Sequence, residues 1–80
     1  MVSVEIEYCV PCGHRSRAQD LQGEILEAYG LKVDRVALVT GDGGVFQVRV
    51  DGETVFDVDE DEYDADAIVE EVGGHVGATA

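Results

Sequence analysis

Apolar residues at Val2, Val4, Ile6 and Tyr8 alternate with Ser3, Glu5 and Glu7. A period of two marks a strand with one dry face and one wet face. A first strand is therefore expected over Val2 to Tyr8. Its wet face predicts helices on one side of the sheet only, because a strand covered on both sides reads as a continuous apolar run. Ala18, Leu21, Ile25, Ala28 and Tyr29 then recur at spacings of three and four, with polar residues between them. That is an amphipathic helix, and Gly30 is placed to end it. Two starts fit. Ser16 with Gln19 forms a capping-box pattern, whereas a start at Cys12 or Gly13 sets a thiol at the positive end of the helix. The earlier start is preferred.

Leu31 to Val39 is rich in Val and Leu and reads as a second strand, although Val33, Val36 and Leu38 keep no single register. Strand, helix, strand predicts a parallel pair with a right-handed crossover. After a Thr40–Gly44 turn, a third strand is expected over Val45 to Val50, with Phe46, Val48 and Val50 inward and Gln47 and Arg49 outward. Asp51-Gly52 is a hairpin signal leading into a fourth strand over Glu53 to Val58. Asp59 to Glu62 reads as an acidic turn. Asp64 and Asp66 then open a short helix carrying Ala65, Ile68, Val69 and Val72, with the acids favourable to its dipole. Gly73-Gly74 is expected to stop that helix, leaving a single domain over 1–74 and a frayed tail over 75–80.

The element order is β-α-β-β-β-α. With the third strand pairing on the far side of the first, it predicts a thioredoxin-like two-layer α/β sandwich: a four-stranded mixed sheet of order 2-1-3-4 with both helices on one face. In that order the Thr40–Gly44 turn crosses the end of the first strand. Two inter-strand spacings are roughly 10 Å, which five residues can span. Gly41, Gly43 and Gly44 should then lie beside whatever the first strand carries at its end.

What it carries is Cys9-Val10-Pro11-Cys12, which holds the chain's two cysteines. A thiolate is the nucleophile of disulfide exchange, and a helix N-terminus lowers its pKa. A second thiol two residues away resolves the mixed disulfide. The strand-to-helix corner supplies the geometry. Pro11 is tolerated in a first turn, Gly13 follows the pair, and Arg15 and Arg17 add positive field. A thiol-disulfide oxidoreductase or redox adaptor is the leading reading. One alternative is a non-catalytic interaction module with a redox-regulated CxxC. The other is a zinc domain through Cys9, Cys12 and His14, although a closed zinc site needs four ligands. The plainest reading of His14 is a solvated first-turn residue, and that of His75 is tail. No cofactor is expected.

Charge narrows the partners. Eighteen acidic residues stand against five basic ones, for a net charge of −13. There is no basic stripe for nucleic acid, and an anionic membrane surface repels such a chain. The expected partner is a disulfide-containing protein or a low-molecular-weight thiol, met by a monomer or weak dimer. Acid interleaved with apolar residues, and Lys32 as the single lysine, suggest a halophilic protein whose self-repulsion is screened by salt. Met1 leads straight into a strand pattern and no apolar run approaches a membrane span. A cytoplasmic setting is expected, where a CxxC is more often catalytic or metal-binding than a staple.

Val4-Glu5-Ile6-Glu7-Tyr8-Cys9-Val10-Pro11-Cys12-Gly13 followed by a helix resembles the selenoprotein W family of small Rdx-type proteins. Gly44-Val45-Phe46-Gln47-Val48 resembles that family's third strand, and Asp51-Gly52-Glu53-Thr54-Val55-Phe56-Asp57 its fourth. The likeness spans residues 2 to about 73. It implies a thioredoxin-like fold and a thiol-disulfide function. Cys12 matches the selenocysteine of animal members and Cys9 its partner cysteine, which makes Cys12 the attacking group by resemblance. Thioredoxin itself attacks with the first cysteine of its motif. No proline stands in the Thr40–Gly44 loop, so the cis-proline of thioredoxins has no counterpart.

Overall fold

A computed structural model describes residues 2–79. The elements are β1 (Ser3–Cys9), α1 (Arg15–Tyr29), a single 3-10 turn (Gly30–Lys32), β2 (Arg35–Gly41), β3 (Phe46–Val50), β4 (Glu53–Asp57) and α2 (Ala65–Thr79). The sheet order is β2-β1-β3-β4. β1 and β2 are parallel, and β3 is antiparallel to both of its neighbours. This is the thioredoxin-like α/β arrangement that the pattern predicted.

Alternation fixes the two faces of the sheet. Val4, Ile6 and Tyr8 of β1 pair with Val50, Val48 and Phe46 of β3, and all six are buried. Ala18, Leu21 and Ile25 of α1 and Ile68, Val72 and Val76 of α2 complete this core. Glu5 and Glu7 point the other way, opposite Arg49 and Gln47. At the β3–β4 hairpin, Asp51 and Gly52 take φ of 52° and 87°. Positive φ at both central residues is what a two-residue hairpin of this hand requires. Asp51 also bonds the neighbouring strand: its Oδ1 accepts the Ser3 N–H at 2.9 Å, and its N–H donates to the Ser3 carbonyl at 2.8 Å.

Several boundaries differ from expectation. β1 runs one residue further, through Cys9, because Cys9 still pairs with Gly41. β2 begins at Arg35 rather than Leu31. The preceding residues form the 3-10 turn, and the Asp34 N–H donates to the Val2 carbonyl at 2.6 Å just before the ladder starts. Ala28 is exposed rather than inward; Tyr29, one residue on, takes the inner position.

The largest correction concerns the second helix. Asp64 caps it as its charge suggests, its Oδ1 accepting the Asp66 and Ala67 N–H groups. Gly73-Gly74 does not stop it, however, and α2 continues to Thr79. Ala80, the last residue of the expected tail, lies outside the described residues. Packing explains the continuation. Ile68, Val72 and Val76 recur every four residues and are all buried. At Gly73, an added Cβ would run into the Tyr29 hydroxyl, and that hydroxyl donates to the Val69 carbonyl at 2.5 Å. Gly73 is thus a point of close helix approach. A helical glycine costs about 1 kcal/mol of propensity, which this contact and the buried stripe offset. His75 faces Glu53 of β4, Nε2 to Oε2 3.3 Å.

Candidate functional site

The CxxC leaves β1 at its C-terminal end and turns before α1 begins. The Cys9 N–H donates to the Val45 carbonyl at 2.7 Å, and the Val10 N–H to the Gly41 carbonyl at 3.1 Å. The first of these bonds joins the end of β1 to the entry of β3, and the second joins the motif to the end of β2. The Gly13 N–H closes the turn on the Val10 carbonyl at 3.2 Å, and Gly13 takes φ 78°, a conformation that a side chain would strain. Cys9 and Cys12 are at disulfide distance, with Sγ atoms 2.17 Å apart and Cα atoms 5.3 Å apart.

The two sulfur-bearing residues differ in access. Cys9 is fully buried, held on its backbone by β3 and paired in register with Gly41. Cys12 is exposed. Gly41 has no room for a side chain: a Cβ there would stand 2.8 Å from both Glu7 Oε2 and Val45 Cγ1. Gly43 and Gly44 turn the chain between them at φ 70° and 82°. The glycine turn therefore lies against the cysteine end of the sheet.

The helix start falls between the two expected positions. Its cap is His14, and no side chain bonds the first-turn amides. Ser16 is an exposed residue inside the first turn, and Cys12 stands two residues before the cap. Arg15 opens the helix, exposed, and lines a shallow depression with Val10, Gly13 and Ser16 beside the motif. Arg17 has gone elsewhere: its guanidinium lies 4.5 Å over the Tyr63 ring. Burial raises the Tyr63 hydroxyl above its ordinary pKa, Arg17 lowers it in part, and Glu24 and Asp20 add to the rise.

His14 is not the solvated residue expected. Its ring packs 5.9 Å from Phe46, and its Nδ1 is buried without a hydrogen-bond partner. Phe46 also meets Tyr63 at 5.5 Å and Phe56 at 6.1 Å, both edge-on. Sequence reasoning did not bring this aromatic group together. Its members lie 7 to 49 positions apart and share no period. The one local signal is Tyr63, a large ring isolated in an acidic run. Zinc gains nothing from the geometry: among the described residues no three His, Cys, Asp or Glu side chains come together as a metal site.

Residues 3–73 match the Rdx family. The chain belongs to the Rdx family. Among solved structures, a protein of Bordetella parapertussis is similar at 33% identity. It covers 92% of this chain and 96% of its own, with a TM-score of 0.86. A selenoprotein W-related protein from Vibrio cholerae, at 23% identity, covers 94% and 96% with the same TM-score of 0.86, and so shares the fold. No curated protein matches the chain. Family membership, this fold and two cysteines at disulfide distance fit a redox role. No helix among the described residues is long and apolar enough to cross a membrane.

Proposed function

We propose that this Rdx protein is a small thiol-disulfide oxidoreductase or redox adaptor, with Cys12 attacking and Cys9 resolving. The observation that carries the reading is the difference in access across one bonded pair: an exposed Cys12 and a fully buried Cys9. In the reduced protein the Cys12 thiolate attacks one sulfur of a partner disulfide. The partner's other sulfur leaves as a thiolate and takes up a proton. Cys9, deprotonated, then attacks the Cys12 sulfur and releases the partner's second thiol. The partner gains two electrons, and Cys9–Cys12 becomes a disulfide. A low-molecular-weight thiol or a reducing protein reverses the cycle. The nearby helix N-terminus and the exposed Arg15 favour the Cys12 thiolate. Pro11 and Gly13 shape the turn, Gly41 lets the Glu7 and Val45 side chains close over the strand end, and Gly43 and Gly44 turn the chain beside it.

The working state is a monomer or weak dimer in a high-salt cytoplasm. An acidic surface of this density repels itself in dilute buffer and is screened in molar salt.

The test is a redox titration in molar KCl against graded thiol-disulfide buffers, with alkylated thiols counted by mass. A reversible two-electron transition between about −120 and −270 mV, the span of known exchange proteins, is expected. Cys12→Ser should abolish turnover of a disulfide substrate, whereas Cys9→Ser should accumulate the mixed disulfide. Activity retained by Cys12→Ser and lost by Cys9→Ser would reverse the roles, and a pair that never closes would sink the reading.

A further inference from the structure

His14 occupies an N-cap, where side chains that accept from first-turn amides are preferred. It makes no such bond. Its ring is turned onto Phe46, and its Nδ1 is the single buried side-chain nitrogen or oxygen without a partner among the described residues. Native proteins keep few such atoms, because an unpaired buried polar group destabilises the state that contains it. Here the state that contains it is the disulfide-bonded one, whose bridge has no hydrogen to donate.

Reduction changes that inventory. The bridge takes up two electrons and two protons and becomes two thiols. Each thiol is a weak S–H donor, or an acceptor once deprotonated. Cys12 precedes His14 by two residues, so their Cα atoms are at most about 7.6 Å apart, within reach of the two side chains. Gly13, at φ 78°, bends the chain between them.

We propose that His14 Nδ1 becomes the hydrogen-bond partner of Cys12 when the pair is reduced, and that His14 thereby sets the pair's redox equilibrium. The inference rests on the redox reading above. With the ring proton on Nε2, the Cys12 S–H donates to Nδ1; with the proton on Nδ1, the ring donates to the Cys12 thiolate. Either arrangement gives the orphan atom a partner in the reduced protein alone. The reduced form is favoured, and the pair becomes a stronger oxidant. His14 is a positioning residue here, acting through the cysteine.

Three proteins decide the matter: wild type, His14→Leu and His14→Asn, titrated in molar KCl at neutral pH against glutathione buffers. Leucine keeps apolar contact with Phe46 and removes the orphan nitrogen. Asparagine carries an amide where Nδ1 stands. His14→Leu should stabilise the disulfide about tenfold, a fall of about 30 mV in potential, and His14→Asn should restore most of that. Urea unfolding of the oxidised proteins supplies the structural control, with His14→Leu at least as stable as wild type. A His14→Leu equilibrium within twofold of wild type, or His14→Asn shifting as far as His14→Leu, overturns the proposal while the redox reading stands. A wild-type pair that forms no reversible disulfide overturns both.

Discussion

The two faces of the sheet are built from the same strands and do different work. On the covered face, Val4, Ile6, Phe46, Val48 and Val50 are fully buried beneath α1 and α2. On the open face, Arg49 lies 3.5 Å from Glu5 and 3.1 Å from Glu7, and all three carboxylate or guanidinium groups keep contact with water. Burial of apolar area is worth about 25 cal/mol per Å², whereas exposed ion pairs contribute about 0–1 kcal/mol. One face therefore holds the fold together, and the other chiefly disposes of charge. The CxxC sits where β1 ends, with Cys9 buried and hydrogen-bonded through its backbone and Cys12 in solvent.

The contrast can be broken most forcefully at Phe46. Its ring supports His14, Phe56 and Tyr63 at once. Phe46→Ala should lose about 3–5 kcal/mol, a large part of what a domain of this size holds, as read by urea unfolding. A loss below about 1 kcal/mol would mean that this face is not the stabilising one.

A smaller effect separates two adjacent glycines within the covering layer. Gly73→Ala drives a methyl into the Tyr29 hydroxyl and should destabilise by about 1–3 kcal/mol. At Gly74 an added Cβ meets nothing within 4 Å, so Gly74→Ala should stabilise the helix by up to about 1 kcal/mol. Thermal melts of the two variants shifting in the same direction would contradict the helix–helix contact.

The smallest effect belongs to the open face. Arg49→Gln should change stability by at most about 1 kcal/mol in dilute buffer, and by less in molar KCl, where the Debye length is about 3 Å. The whole chain should move the other way and melt higher in molar KCl as its excess of acid is screened. A melting temperature indifferent to KCl would remove the case for a high-salt protein.

Much of this was legible because strands and helices declare themselves by period. Val2 to Tyr8 gave the first strand and its two-sidedness, and Asp51-Gly52 gave the hairpin and hence the antiparallel pair. The cysteine pair stood out by spacing alone. What misled was local chemistry read without its neighbours. The preferred start at Cys12 or Gly13 comes too early and the capping box of Ser16 and Gln19 too late, since the helix begins at Arg15 with His14 at its cap. Gly73-Gly74 spell a stop, yet the stripe of Ile68, Val72 and Val76 carries the helix on. At Gly73 a contact from elsewhere in the chain, Tyr29 over the glycine, together with that stripe outweighs a preference of about 1 kcal/mol.

The amino-acid order by itself determined the element types, the β3–β4 hairpin and the place of the thiols in the chain, because backbone periodicity and turn residues act over a few positions. Only the tertiary structure decided which cysteine is sealed and which is open, where the first helix begins and the second ends, and that His14 carries a buried, unpaired nitrogen. Those properties depend on atoms brought together across tens of residues, and no local pattern encodes the space they leave or fill.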